Sequence, residues 1–279
     1  MMTGGATRGQ EPVAPGIASG VTTRFAPSPT GLLHLGHAIS AICSHDRARD
    51  AGGRFLLRIE DIDAARSRTR FVAAIEADLA WLGLAWDGPV VRQSDRLARY
   101  GEALDRLKEQ DLVYPCFCTR AEIAASLSAP HGEAGPVYPG TCRHLGVAER
   151  AERIAGEQHA WRLDMARAAA WAGPLTWIDE IGGEIVADPS SHGDVVLARK
   201  DAPASYHLAV TVDDAFQGVT HVVRGEDLRE ATDIHRLLQH LLGLPTPVYR
   251  HHPLLLGADG QRLAKREGAP MLAALRAKG

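Results

Sequence analysis

The chain is poor in aromatic residues, with five each of Trp, Tyr and Phe in 279 residues. It carries four cysteines and four methionines. No apolar run approaches the roughly 18 residues needed to cross a bilayer, and the first 20 residues lack the apolar stretch of a secretory signal. Without an export signal, four cysteines are expected as reduced thiols or metal ligands rather than disulfides. Large charge of either sign is also missing: 31 basic against 34 acidic residues leave −3. A surface that holds nucleic acid broadly is usually basic, so any such contact must be a local patch. What remains is an ordinary globular composition, 45% hydrophobic and 23% charged, long enough for one large domain or two modest ones. These features read as a cytoplasmic, membrane-free and monomeric protein.

Val21 to Ala26 reads as a buried strand that ends in the turn Pro27-Ser28-Pro29-Thr30-Gly31. A helix is expected from about Gly36 to Asp50, and a second strand over Arg54 to Ile59 that delivers Glu60 at its end. Phe71, Ile75, Leu79 and Leu82 keep helical spacing, predicting a helix over 70–83, with another over 95–109. Strand, helix, strand, helix is the pattern of a parallel sheet with crossover helices. It breaks between 111 and 200. There clustered cysteines, a Pro/Gly loop at 129–140, a helix near 147–155 and short strand-like runs predict an α+β insertion. Ala204 to Val212 and Val219 to Val223 read as returning strands. Ala231, Ile234, Leu237, Leu238, Leu241 and Leu242 form one more helical stripe. The expected organisation is a mobile tail (1–20), a first core half (21–110), the insertion (111–200), a second core half (201–257) and a terminal loop segment (258–279).

Two motifs carry chemistry. His34-Leu35-Gly36-His37 follows a strand and a Pro-rich turn and starts a helix. Ligands of open parallel sheets bind where strands end, and helix N-termini suit phosphate. Two imidazoles three positions apart can reach one polyphosphate and stabilise charge developing at an α-phosphorus. Far along the chain, Arg262-Leu263-Ala264-Lys265-Arg266 offers a loop lysine for the same phosphates. A third group, Cys116, Cys118 and Cys142, offers three thiolates for a tetrahedral metal. Tyr138, His131 and His144 are the rivals for the fourth position. Basic residues scattered over 143–167 alternate with Glu149, Glu152 and Glu157, as on an ordinary charged helix face, and define no site.

The string RFAPSPTGLLHLGH at 24–37 resembles the start of the glutamyl- and glutaminyl-tRNA synthetases, and RLAKR at 262–266 resembles their second signature, KMSKS or KLSKR. LRIEDID at 57–63, QSDR at 93–96 and DDAFQGVTHVVRGEDL at 213–228 extend the resemblance over about 21–270. It implies a class I Rossmann-like parallel sheet with a zinc-containing insertion. The short length points to family members made of the catalytic half without an anticodon-binding domain. These activate L-glutamate with ATP and Mg2+ without tRNA, then transfer it to the queuosine base in the anticodon of tRNA(Asp).

The resemblance assigns catalysis to His34, His37 and Lys265, ATP contact to these and Gly36, and glutamate contact to Arg24, Phe25, Ala26, Pro27, Ser28, Glu60, Tyr206 and Arg224. It assigns one structural zinc to Cys116, Cys118, Tyr138 and Cys142. Arg262 and Ala264 depart from the usual Lys and Ser of the second signature. Three alternatives follow from the same residues: a minimal synthetase charging a tRNA 3′ end, a nucleotidyltransferase, and a non-catalytic RNA-binding paralogue.

Overall fold

The structure is a computed structural model that describes residues 20–119, 121–123, 137–256 and 270–278. Lys265, Arg262, Ala264 and His131 lie outside the described residues. The first half alternates β1 (Thr22–Phe25), α1 (Leu35–Arg49), β2 (Arg54–Ile59), α2 (Thr69–Trp81), β3 (Val91–Arg92) and α3 (Leu97–Glu109). Strand β2 is buried along nearly its whole length, as expected of a parallel strand covered on both faces. Its neighbours β1 and β3 both pair with it in parallel.

After β4 (Val113–Cys116) come α4 (Val147–Gly156), β5 (Ala160–Leu163), α5 (Met165–Ala172), β6 (Thr176–Asp179), β7 (Gly183–Val186) and β8 (Val196–Ala198). Strands β4, β5 and β8 form a separate antiparallel sheet. Residues 176–186 do not stay with it. They fall inside the span read as an insertion, yet β6 pairs in parallel with β10 (Val248–His252), and β7 hangs antiparallel on its outer edge. The remaining elements are α6 (Tyr206–Phe216), β9 (His221–Gly225), α7 (Ala231–Leu242) and the short α8 (Leu272–Arg276).

One predicted strand is a helix. Residues 204–212 read as a strand from their apolar, β-branched run, but Tyr206–Phe216 is helical. The cause is tertiary: α6 packs between α3 and α7 in the larger core cluster, with Leu208, Ala209 and Val210 buried. Such a run cannot be told from a buried strand by periodicity alone. The predicted strand at 219–223 begins two residues later, at His221.

The two core sheets meet at Thr220. Its amide donates to Thr22 O at 2.9 Å, and the Val248 amide donates to Thr220 O at 2.9 Å. Strands β1 and β9 therefore lie side by side, and their C-terminal residues line one pocket. The resulting order is β3-β2-β1-β9-β10-β6. The chain winds outward from β1 to β3 in one direction and from β9 to β10 in the other, with the earlier strand β6 placed outside β10. The crevice between them is the topological switch point, where ligands of open α/β sheets bind.

Candidate active site and thiol cluster

The crevice holds a cavity of about 490 Å³ lined by Arg24 to Ser28, His34, Gly36, His37, Glu60, Tyr206 and Arg224. Every described residue read from the first signature and the glutamate set is thus brought to one place. Ser28, Glu60 and Tyr206 also border a second cavity of about 890 Å³ that reaches Cys118, Arg162 and Lys200 on the β4-β5-β8 side.

On the β1 side, charge is balanced inside the protein. Arg24 is buried; its Nε donates to Asp214 Oδ1 at 3.0 Å and its Nη1 to Val223 O at 3.3 Å. Arg58, fully buried, donates to the same Asp214 oxygen at 2.7 Å, to Gln217 at 3.0 Å and to Glu60 Oε1 at 3.1 Å. Burial pushes the Asp214 carboxyl up, but Arg24 and Arg58 outweigh it and hold the group below the usual range. Burial wins at Glu60 and raises it despite Arg58. The Glu60 amide donates to Pro27 O at 3.0 Å, fixing the strand end against the Pro turn. The neighbouring Asp213 accepts from Arg96 at 2.6 Å, Tyr100 at 2.7 Å and Gln93 at 3.0 Å. Sequence reasoning assigned no role to Arg58, Asp213 or Asp214. Their signal was a pair of adjacent acids near the end of an apolar run and an arginine inside an apolar strand, both expensive to bury unpaired.

On the β9 side, Arg224 is buried and held by His251 Nε2, Tyr206 Oη and His235 Nδ1, each at 3.3 Å, and by Thr232 Oγ1 at 2.7 Å. His251 reaches Asp179 Oδ2 at 2.9 Å through Nδ1, and His235 meets His207 at 3.2 Å. Burial lowers all three histidines, His207 to about 4 and His235 well below its ordinary value; at His251 the Asp179 bond only partly opposes it. None of these histidines was singled out in the sequence.

The two signature histidines cap α1. His34 Nδ1 accepts from the Gly36 amide at 3.1 Å, and His37 Nδ1 accepts from the His34 amide at 3.2 Å. An imidazole that accepts at Nδ1 is neutral and carries its proton on Nε2. Capping therefore fixes the tautomer, and both rings, 3.9 Å apart, present Nε2–H donors. The capping and catalytic readings are one arrangement. It also engages the Gly36 N–H. A Cβ at 36 would sit 2.9 Å from His34 Cε1, so any larger residue would push the His34 ring out of its cap. His34 further pairs with Met271, and the Leu272 amide donates to Leu33 O at 2.9 Å. Residues 271–272 thus return to this helix start, and Arg276 of α8 meets buried Asp78 of α2 at 3.1 Å.

The three thiols Cys116, Cys118 and Cys142 converge, with all sulfurs within 4.8 Å of one another. Tyr138 Oη lies 3.4 Å from Cys116 Sγ and 3.5 Å from Cys118 Sγ. A tetrahedral zinc sets S···S edges of about 3.8 Å and S···O edges of about 3.5 Å, so the donor set fits one such ion. Burial pushes the Cys118 thiol up to about 11, which a divalent cation would reverse. His144 is exposed and outside the cluster. Three basic residues of 143–167 are paired with acids of the protein: Arg143 with Asp194, Arg153 with Glu157, Arg167 with Asp111. Cys43 is a half-buried residue of α1.

A parallel sheet with capped histidines and a charged pocket at its switch point is a nucleotide-activating α/β architecture. The family model described as tRNA synthetases class I (E and Q), catalytic domain, matches residues 20–279. The chain is 53% identical over 267 residues to the glutamyl-Q tRNA(Asp) synthetase of Rhodobacter capsulatus, covering 92% of this chain and 95% of that protein. It is 49% identical over 266 residues to the protein of the same name from Symbiobacterium thermophilum, covering 92% and 81%. A crystal structure of a glutamate tRNA ligase from Elizabethkingia meningosepticum, in complex with its amino acid, matches with a TM-score of 0.76 at 30% identity. That match covers 89% of this chain, which spans only about half (52%) of the ligase. The chain belongs to the class I tRNA synthetases of the E and Q type, and within them to the glutamyl-Q tRNA(Asp) synthetases.

Proposed function

We propose that the protein activates L-glutamate with ATP as glutamyl-adenylate, without tRNA, and then passes the glutamyl group to a hydroxyl of the queuosine base in the anticodon of tRNA(Asp). The observation that carries this reading is the single pocket that faces two Nε2–H donors, two buried arginines and one carboxylate. Glutamate has two carboxylates and one ammonium. Arg24 and Arg224 suit the first two and Glu60 the third. Tyr206 and Ser28 add hydroxyls, and Phe25, Ala26 and Pro27 supply the wall between them.

ATP enters as its magnesium complex beside His34, Gly36 and His37. A glutamate carboxylate oxygen attacks the α-phosphorus, the bond to the bridging oxygen breaks, and pyrophosphate leaves. The two Nε2–H groups stabilise the charge that builds on the α-phosphoryl oxygens. Lys265 neutralises the departing pyrophosphate. The base hydroxyl then attacks the anhydride carbonyl and AMP leaves. The second cavity, which shares Ser28, Glu60 and Tyr206 with the first, offers this hydroxyl an approach.

Zinc held by Cys116, Cys118, Tyr138 and Cys142 is structural, since four protein ligands leave no position open for substrate. Purified protein is expected to carry one zinc per chain by elemental analysis. C142S is expected to lose the metal and melt at lower temperature.

The deciding assay offers ATP and labelled glutamate with two tRNA pools, one containing queuosine and one without. Label on the queuosine pool alone supports the proposal. Equal label on both pools means charging of the 3′ end and overturns it.

A further inference from the structure

Arg224 is 5% exposed, yet none of its hydrogen bonds or ion pairs among the described residues is to a carboxylate. Its acceptors are two imidazoles, a phenol and a threonine hydroxyl, all uncharged. Arg24, which lines the same pocket, shares Asp214 with the fully buried Arg58. A buried cation without a counterion carries a desolvation cost that an arriving anion relieves.

The neutrality of this cradle is enforced by its own hydrogen bonds. His251 accepts from Arg224 at Nε2, so its proton sits on Nδ1, where it is donated to Asp179 Oδ2 at 2.9 Å. His235 accepts from Arg224 at Nδ1, so its proton sits on Nε2, facing His207 Nδ1 at 3.2 Å. Thr232 is fully buried and accepts from the second guanidinium nitrogen at 2.7 Å. Each ring is thereby locked as an acceptor toward Arg224. A carboxylate at any of these positions would satisfy the guanidinium internally and remove its demand for a ligand anion.

We propose that Arg224 receives the side-chain carboxylate of the substrate, that His235, His251 and Thr232 are positioning residues that hold it with its charge unmatched, and that this neutral cradle thereby selects a free side-chain carboxylate over the corresponding amide, glutamate over glutamine. The proposal rests on the glutamate-activating reading given above. The cradle orients the guanidinium and leaves its charge to be answered by the substrate. An amide can take the same hydrogen bonds but cannot neutralise the charge, so it leaves the desolvation cost in place.

The test uses two nearly isosteric variants that differ in charge, H235Q and H235E, in the full chain. Glutamate-dependent and glutamine-dependent pyrophosphate exchange give KM and kcat for each substrate. H235E is expected to raise the glutamate KM on the order of a hundredfold and to shrink the glutamate-to-glutamine ratio of kcat/KM by a similar factor. H235Q is expected to shift either by less than about tenfold. Equal behaviour of the two variants overturns the cradle. T232N and T232D repeat the contrast at a second position, in case H235E fails to fold by thermal melting. Calorimetric binding of L-glutamate separates the two levels of the argument. Binding to wild type and H235Q but not to H235E, with no exchange by wild type, supports the cradle while the activation reading fails. No binding to wild type overturns both.

Discussion

On the β1 side of the pocket, Arg24 and Arg58 share one oxygen of Asp214, and Glu60 takes a further Arg58 nitrogen. On the β9 side, Arg224 is equally buried but meets only neutral acceptors. The first arrangement is complete without a ligand and serves to hold α6 against β1 and β2. The second is incomplete without one. Two arginines that look alike in sequence, each at the end of a parallel strand, thus face the same pocket in different states: Arg24 with its charge already shared with Asp214, Arg224 with no acid of the protein beside it.

Breaking the balanced side should give the largest effect. D214N leaves two buried guanidiniums without their shared counterion, and chemical denaturation should show a loss of about 3–5 kcal/mol. Next comes the donor pair at the start of α1. H37A should slow glutamate-dependent pyrophosphate exchange by roughly 10²–10³, the effect of losing one oriented donor, with much less change in stability. R224M sharpens the contrast. It removes a cation with no internal counterion but leaves buried acceptors of His235 and Thr232 unpaired, so stability should fall by about 1–3 kcal/mol, less than in D214N, while the glutamate KM rises beyond saturation.

The smallest effect is the acid response. His207, His235 and His251 are depressed below 6.5 in the folded protein. The unfolded chain takes up protons that the folded one refuses, so stability falls as pH drops below 6.5 and, for His207, keeps falling to about 4. Asp214 is depressed below 3.8, so its contribution is present above that value and lost only as pH falls further. Melting temperatures between pH 7 and 4.5 should therefore fall as the three histidines are titrated, opposed by Glu60, whose raised carboxyl takes up its proton in the folded protein first, and H235Q should flatten the slope.

Much of this was legible in the chain. The strand Arg54–Ile59 and the helix Ala231–Leu242 follow directly from an apolar run and an apolar stripe. The signature histidines and the cysteines stand in local strings whose residue types match their chemistry, whereas the pocket arginines were singled out through the family resemblance of the strings around them. What was not legible involves partners far apart in sequence. Arg58 and Asp214 are 156 residues apart, and neither has a local pattern that names the other. The helix at 206–216 was hidden because Val210, Thr211 and Val212 suit a strand as well as a buried helix. Docking of α6 between α3 and α7, with Asp213 and Asp214 turned to Arg96 and Arg58, decides it.

By itself the sequence determined the local elements, the reactive side chains and their order along the chain, because periodicity, turn chemistry and side-chain type act over a few residues. Only the tertiary structure decided the strand order that puts β1 beside β9, the tautomers of His235 and His251, the convergence of three thiols on Tyr138, and which buried arginine keeps its charge unmatched. Each of these depends on distance and dielectric between groups that the chain brings together only when it folds.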